Sequence, residues 1–320
     1  MNLPSPNPGS PRWLHLLAVL TVLFTLPLLF LGAGVTTHGV GMADPHGFRP
    51  PWVIVRILAE STGFDIRLEY GHRTFGFLVG LCAIALAIGC WFFDRRGWMG
   101  WLAFVALGMI CLQGTLGIFR VDYNELYGRT FAMIHGMFAQ LVFGTLVSLA
   151  LFTSRRWASD GEHAMTPALQ RGSIVTMLIV FVQLLLGGLV RHQESPVGPR
   201  AHLLGAFVVT GALVWLLKLI RECEAPERFR TQRWLIKGLL MLQLWLGVEA
   251  WLAKFFVATA VQQQALEPMP MHAEWLRTAH YLVGTLLFGT TVVVALVANR
   301  RALPLEQTIV APARELEGVR

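Results

Sequence analysis

The sequence predicts an all-α, polytopic membrane protein with eight transmembrane helices, arranged as two pseudo-repeated four-helix bundles. Three observations lead there. The chain is 55% hydrophobic and only 14% charged over 320 residues, more apolar than a water-soluble domain of this size. Its apolar stretches are each about 20 residues long, the length a helix needs to cross hydrocarbon with every backbone group satisfied internally. Finally, a histidine recurs at one depth in alternate stretches.

The uncharged stretches run at about 13–34, 74–93, 98–119, 131–153, 172–190, 201–217, 234–253 and 279–298. The first is longer than a signal-peptide core and lacks a small-residue cleavage site, so it is expected to stay in place as a helix. Before it lie several prolines and a single Arg, Arg12, which is unlike an organelle presequence and favours a bacterial inner membrane. An even number of spans puts both termini on one side. That side holds sixteen of the 26 basic residues, among them Arg95, Arg96, Arg155, Arg156, Lys218 and Arg300, so the termini are expected to be cytoplasmic. The net charge of +7 then follows from topology and calls for no nucleic-acid partner. Cys82, Cys90, Cys111 and Cys223 fall within spans or on the cytoplasmic side without C-x-x-C spacing, which argues against disulfides and thiolate metal sites.

Two halves are expected, 1–153 and 154–320, with a solvated tail from about residue 302. The loops 35–68 and 255–274 are long enough to form lids with short helices of their own. Within each half, a helix leaves toward the outer face in small residues and the next begins with a histidine. Three outgoing helices carry Gln and then Gly one turn later: Gln113 and Gly117, Gln183 and Gly187, Gln243 and Gly247. The first carries Gly32 and Gly34. The incoming helices supply His72, His135, His202 and His280. Small residues at the exits allow close approach of backbones or of a flat ligand.

An imidazole inside a membrane span is costly without a partner, so four at one depth in two pairs mark a functional site. Two imidazoles facing each other across a four-helix bundle provide the axial ligands of a heme iron, and the bundle core offers an apolar slot for the macrocycle. Zinc fits less well, because it wants three or four close ligands. Arg73, Arg129, Arg200 and Arg277 lie within two turns of a histidine and are candidates to pair with heme propionates. Glu69 precedes His72 by three residues, so a helix puts both on one face, with the carboxylate aimed toward whatever the imidazole ligates. No other histidine has this companion, although Glu249 lies near the outer end of span seven. The halves are thus expected to be chemically unequal, one a reactive site and the other a companion redox site.

On these residues the chain resembles the heme A synthase family, membrane enzymes that oxidise heme O. The resemblance rests on eight spans in two repeats, Glu-x-x-His-Arg at 69–73, the outer-end histidines His135, His202 and His280, and the glycine-rich exits. The stretch from Gly32 to Trp52, with Thr36, Thr37, Gly39, Gly41 and paired prolines, is similar to the family's first outer loop. The resemblance implies oxidation of the methyl at heme position 8 to a formyl group, yielding heme A for terminal oxidases. It implies that His72 and His135 bracket the substrate heme, that His202 and His280 ligate a resident heme b, and that Glu69 is catalytic. The lipid bilayer, heme O, the heme O synthase, an electron donor and a second copy of the chain are the partners it suggests. Unlike some members, this chain has no cysteine pair in its outer loops. A di-heme cytochrome b that only moves electrons, or a non-catalytic heme carrier for oxidase assembly, would use the same four histidines.

Overall fold

The computed structural model describes residues 10–61, 63–159, 165–192, 197–252 and 271–300. The helices are α1 (Arg12–Thr37), α2 (Pro51–Glu60), α3 (Phe64–Phe93), α4 (Gly97–Asp122), α5 (Asn124–Thr153), α6 (Arg155–Ser159), α7 (Pro167–His192), α8 (Val197–Glu222), α9 (Arg230–Leu252) and α10 (Met271–Ala298), with a 3-10 turn at Pro226–Phe229 leading into α9. Eight of these segments are long and apolar enough to cross a membrane. The protein is a multi-pass, all-α membrane protein, and among the described residues there is no strand.

Three of the histidine-bearing helices start well before their apolar windows: α3 at Phe64, α5 at Asn124 and α10 at Met271. The added turns are polar, as in Asp65, Arg67 and Glu69 of α3, yet they stay helical because that keeps their backbone groups paired above the hydrocarbon. The histidines therefore lie about two to three turns inside their helices rather than at the helix starts. The expected short helix in the first outer loop is α2, begun by Pro51 at its first position. The proposed lid at 255–274 lies mostly outside the described residues, as does the tail from 302.

α1, α3, α4 and α5 pack on one another, and α7, α8, α9 and α10 form a second group through the α7–α8, α9–α10 and α7–α10 pairs. Across the seam, α1 meets α10, while α5 meets both α7 and α10. The seam is built on small residues. A Cβ at Gly144 of α5 would lie 3.2 Å from the Phe288 ring of α10, and one at Gly289 of α10 would lie 2.8 Å from the Phe143 ring of α5. Each phenylalanine fills the other helix's glycine notch. Gln140 crosses the same seam to donate to the Tyr281 hydroxyl at 2.7 Å. Outward faces carry exposed apolar side chains such as Leu112, Phe207 and Met241, as a lipid-facing surface requires. Thr21, Thr25 and Thr285 return their hydroxyls to the carbonyl one turn back, which removes the cost of burying them.

At the end away from the four histidines, Asp94 closes the α3–α4 turn. It accepts from Ser10 at 2.5 Å and from two nitrogens of Arg96, and Arg96 also donates to the Phe152 carbonyl of α5 at 3.0 Å. Burial alone would raise the Asp94 carboxyl, but the hydrogen bonds from Arg96 and Ser10 outweigh it and hold it below its ordinary range. A depressed carboxyl stabilises the fold above its unfolded-state value and loses that contribution as pH falls through the folded-state value. Asp94→Ala is expected to lower unfolding stability in detergent by about 2 kcal/mol. Wild type should approach the variant as the pH is taken below the ordinary carboxylate range. Equal stability at neutral pH would refute the clamp.

Candidate functional site

α3 carries His72 and α5 carries His135, and their ring centres lie 6.3 Å apart with planes at 76°. In the second group, His202 of α8 and His280 of α10 stand 6.2 Å apart at 82°. The structure thus brings all four histidines into two pairs of nearly equal geometry. Two imidazoles on opposite faces of one metal, each bonded at about 2 Å, have ring centres about 6.4 Å apart. Both pairs match that span, so the residues present fit a bis-histidine heme.

Each imidazole leans on a glycine of the long helix preceding its own. A Cβ would fall 2.7 Å from the His72 ring at Gly32, 3.2 Å from His135 at Gly117, 3.2 Å from His202 at Gly187 and 3.1 Å from His280 at Gly247. The glutamine one turn earlier holds the incoming helix at that level. Gln113 donates to the His135 carbonyl at 2.9 Å and Gln183 to the His202 carbonyl at 2.8 Å, while the Gln243 amide lies 3.3 Å from the His280 ring. Leu28 occupies the glutamine position in the first repeat, and its carbonyl lies 3.0 Å from His72 Nδ1. Among the described residues, Nδ1 of His135 and of His280 and Oε1 of all three glutamines are buried without a hydrogen-bond partner. Such orphans are rare in folded proteins, and here they concentrate beside the paired rings.

The rim over His72 and His135 is elaborate. Glu69 is only 4% exposed and both its oxygens are used: Arg73 donates to one at 2.5 Å, and the Asp44 main-chain N–H donates to the other at 3.0 Å. Its carboxylate is therefore bound to the rim rather than left free toward the imidazole, which refines the expectation from spacing alone. Arg73, a candidate for a ligand carboxylate, is instead committed to Glu69 and to the His46 carbonyl at 2.9 Å. Asp44 gathers Arg49 at 2.8 Å, the Tyr70 hydroxyl and His46 at 2.9 Å. Gly47 N–H donates to Asp122 of α4 at 3.1 Å. The loop between α1 and α2 is thus fastened to α3 and α4 and covers the first pair.

Sequence reasoning missed Asp44, Arg120 and Arg191. Arg191 of α7 crosses the seam, donating to the Ala33 carbonyl and to Thr37 Oγ1 at 2.5 Å, with its guanidinium over the Tyr281 ring. Beside it, His38 pairs with Glu274 at 2.6 Å. Arg277 is half-buried and Arg200 exposed. Nothing in the linear pattern marks Asp44. Arg191 and Arg120 were legible only as the basic residues that follow the Gly187 and Gly117 exits by one turn or less.

Residues 53–197 match the model of a family described as cytochrome oxidase assembly protein. A Methylorubrum populi protein named heme A synthase is 29% identical over 228 residues, covering 59% of this chain and 56% of that relative. A Methylorubrum extorquens protein of the same name is 30% identical over the same shares, and one from Hyphomonas neptunium is 34% identical over 137 residues, 40% of this chain and 37% of its own length. Over these stretches the chain is similar to proteins named heme A synthase. It spans about half the length of the curated relatives it matches. No solved structure matches it.

Burial alone would raise the Asp44 carboxyl, but its hydrogen bonds from Arg49, Tyr70 and His46 outweigh this and hold it well below the carboxylate range. The loop tie is therefore intact at neutral pH and lost only as pH falls through that depressed value. Asp44→Ala is expected to speed chymotryptic cleavage after Phe48 by about fivefold or more at pH 8, the wild-type loop opening far less often. Unchanged cleavage would show that Asp44 does not hold the loop.

Proposed function

We propose that this protein is a heme A synthase, oxidising the position 8 methyl of heme O to a formyl group for terminal oxidases. The reading places it in a bacterial inner membrane with both termini in the cytoplasm. The observation that carries it is the pair of matched imidazole couples, each backed by glycines and each at the span of two axial metal bonds.

His72 and His135 hold the substrate heme in the amino-terminal half, and His202 and His280 hold a resident heme b in the carboxy-terminal half. When bound, the heme irons supply the redox chemistry. The chain supplies position, a dry slot and charge. Glu69 gives the first pair a carboxylate fixed by Arg73 and the Asp44 N–H, suited to stabilising positive charge or holding a proton at the reacting edge. The second pair has no equivalent rim among the described residues, which favours assigning turnover to the first. The covering loop excludes water from that rim. A heme O synthase would supply the substrate, and an electron-transfer partner would serve the resident heme.

Purified protein is expected to yield heme b together with heme O or heme A when its pigments are extracted and separated by chromatography; heme b alone would establish an electron-transfer cytochrome instead. Glu69→Ala should keep its heme and lose heme A production, and unchanged production would remove Glu69 from the reaction. Gly32→Ala places a methyl 2.7 Å from His72. It should lower heme stoichiometry from both pairs toward the carboxy-terminal pair alone, measured by pyridine hemochrome per protein.

A further inference from the structure

We infer that Arg120 binds a carboxylate of the ligand held between His72 and His135, a propionate of the macrocycle. This rests on the heme reading above. Arg120 is on the last turn of α4, three residues after Gly117, the glycine that backs His135. It is half-buried, and its charge reaches Glu69 and both imidazoles of the first pair. Among the described residues it makes no hydrogen bond and no ion pair. The neighbouring cations are spoken for, Arg73 by Glu69, Arg49 by Asp44 and Arg191 by the α1 end. Glu69 cannot serve Arg120 without giving up a bond, because both its oxygens already accept.

A guanidinium does not discard its proton to escape burial, so it needs an anion or acceptors. The carbonyl end of α4 favours a cation there but supplies no fork of oxygens. A carboxylate does, through two parallel hydrogen bonds. The covering loop is shaped around this side chain. A Cβ at Gly41 would lie 2.0 Å from Arg120 Nη2 and 2.3 Å from Nη1, so any larger residue there would have to push the guanidinium from this position. The other three histidine-backing glycines are followed at the same offset by Val35, Val190 and Ala250, so this cation belongs to the first pair alone. On the macrocycle, the position 8 methyl shares a pyrrole ring with a propionate. A clamp on that propionate selects which edge meets Glu69, making Arg120 a determinant of which methyl is oxidised.

The test uses the full chain in detergent, stripped of heme and carrying His280→Ala so that the first pair alone reports. It is titrated with ferric heme b and with its dimethyl ester, following the bis-imidazole Soret band. The free acid should bind about tenfold or more tighter than the ester. Arg120→Gln should erase that preference with ester affinity unchanged, and Arg120→Lys should restore part of it. An equal loss for both ligands, or a preserved preference, would overturn the assignment. Gly41→Ala keeps the charge but displaces the flexible guanidinium, so it decides the matter if Arg120→Gln does not fold: a retained preference overturns the assignment and a lost one supports it. Absence of a bis-imidazole spectrum with either ligand would instead defeat the heme reading itself.

Discussion

Everything at the functional end depends on a glycine placed against each imidazole. A histidine ring is wide, and inside a helical bundle it stays at one depth and angle only if the neighbouring helix makes room. Gly32, Gly117, Gly187 and Gly247 make that room, and the glutamine amides one turn away keep helix pairs from sliding. The near-identical ring separations follow from this repeated contact. A metal pair site needs its ligands preset, since two independent helices would otherwise pay the ordering cost at binding.

On that common base the two halves differ in their rims. Over the first pair, the α1–α2 loop brings Asp44 and Gly41 into a cluster with Glu69, Arg73 and Arg120. The cluster is internally balanced except at Arg120, so charge is available where a ligand would sit. Over the seam, Arg191 and the His38–Glu274 pair bind the groups to each other. A shared scaffold with unequal edges is how one fold can hold two similar ligands for different purposes.

The eight spans and the four histidines were legible because both are one-dimensional signals: apolar length and a residue type recurring at one depth. The Gln and Gly spacing was legible too, since i and i+4 lie on one helix face. Helix starts were misplaced by up to about ten residues, because apolar content reports where hydrocarbon begins and says nothing of where backbone pairing ends. Asp44 lies 25 residues from Glu69 and Gly41 lies 79 from Arg120. Such contacts are created by a loop folding back, and no local periodicity encodes them. The same blindness led Arg73 to be read as a ligand contact, when its nearest carboxylate was its own helical neighbour.

The reciprocal lodging of Phe143 against Gly289 and Phe288 against Gly144 carries a historical consequence. If the halves descend from one duplicated unit, their edges could diverge independently, because each answers only to its own ligand. The interlock could not. Enlarging either glycine demands a smaller ring on the opposite copy, so these four positions would have to change as linked sets, and ancestry should persist there longest after the chemistry has drifted apart.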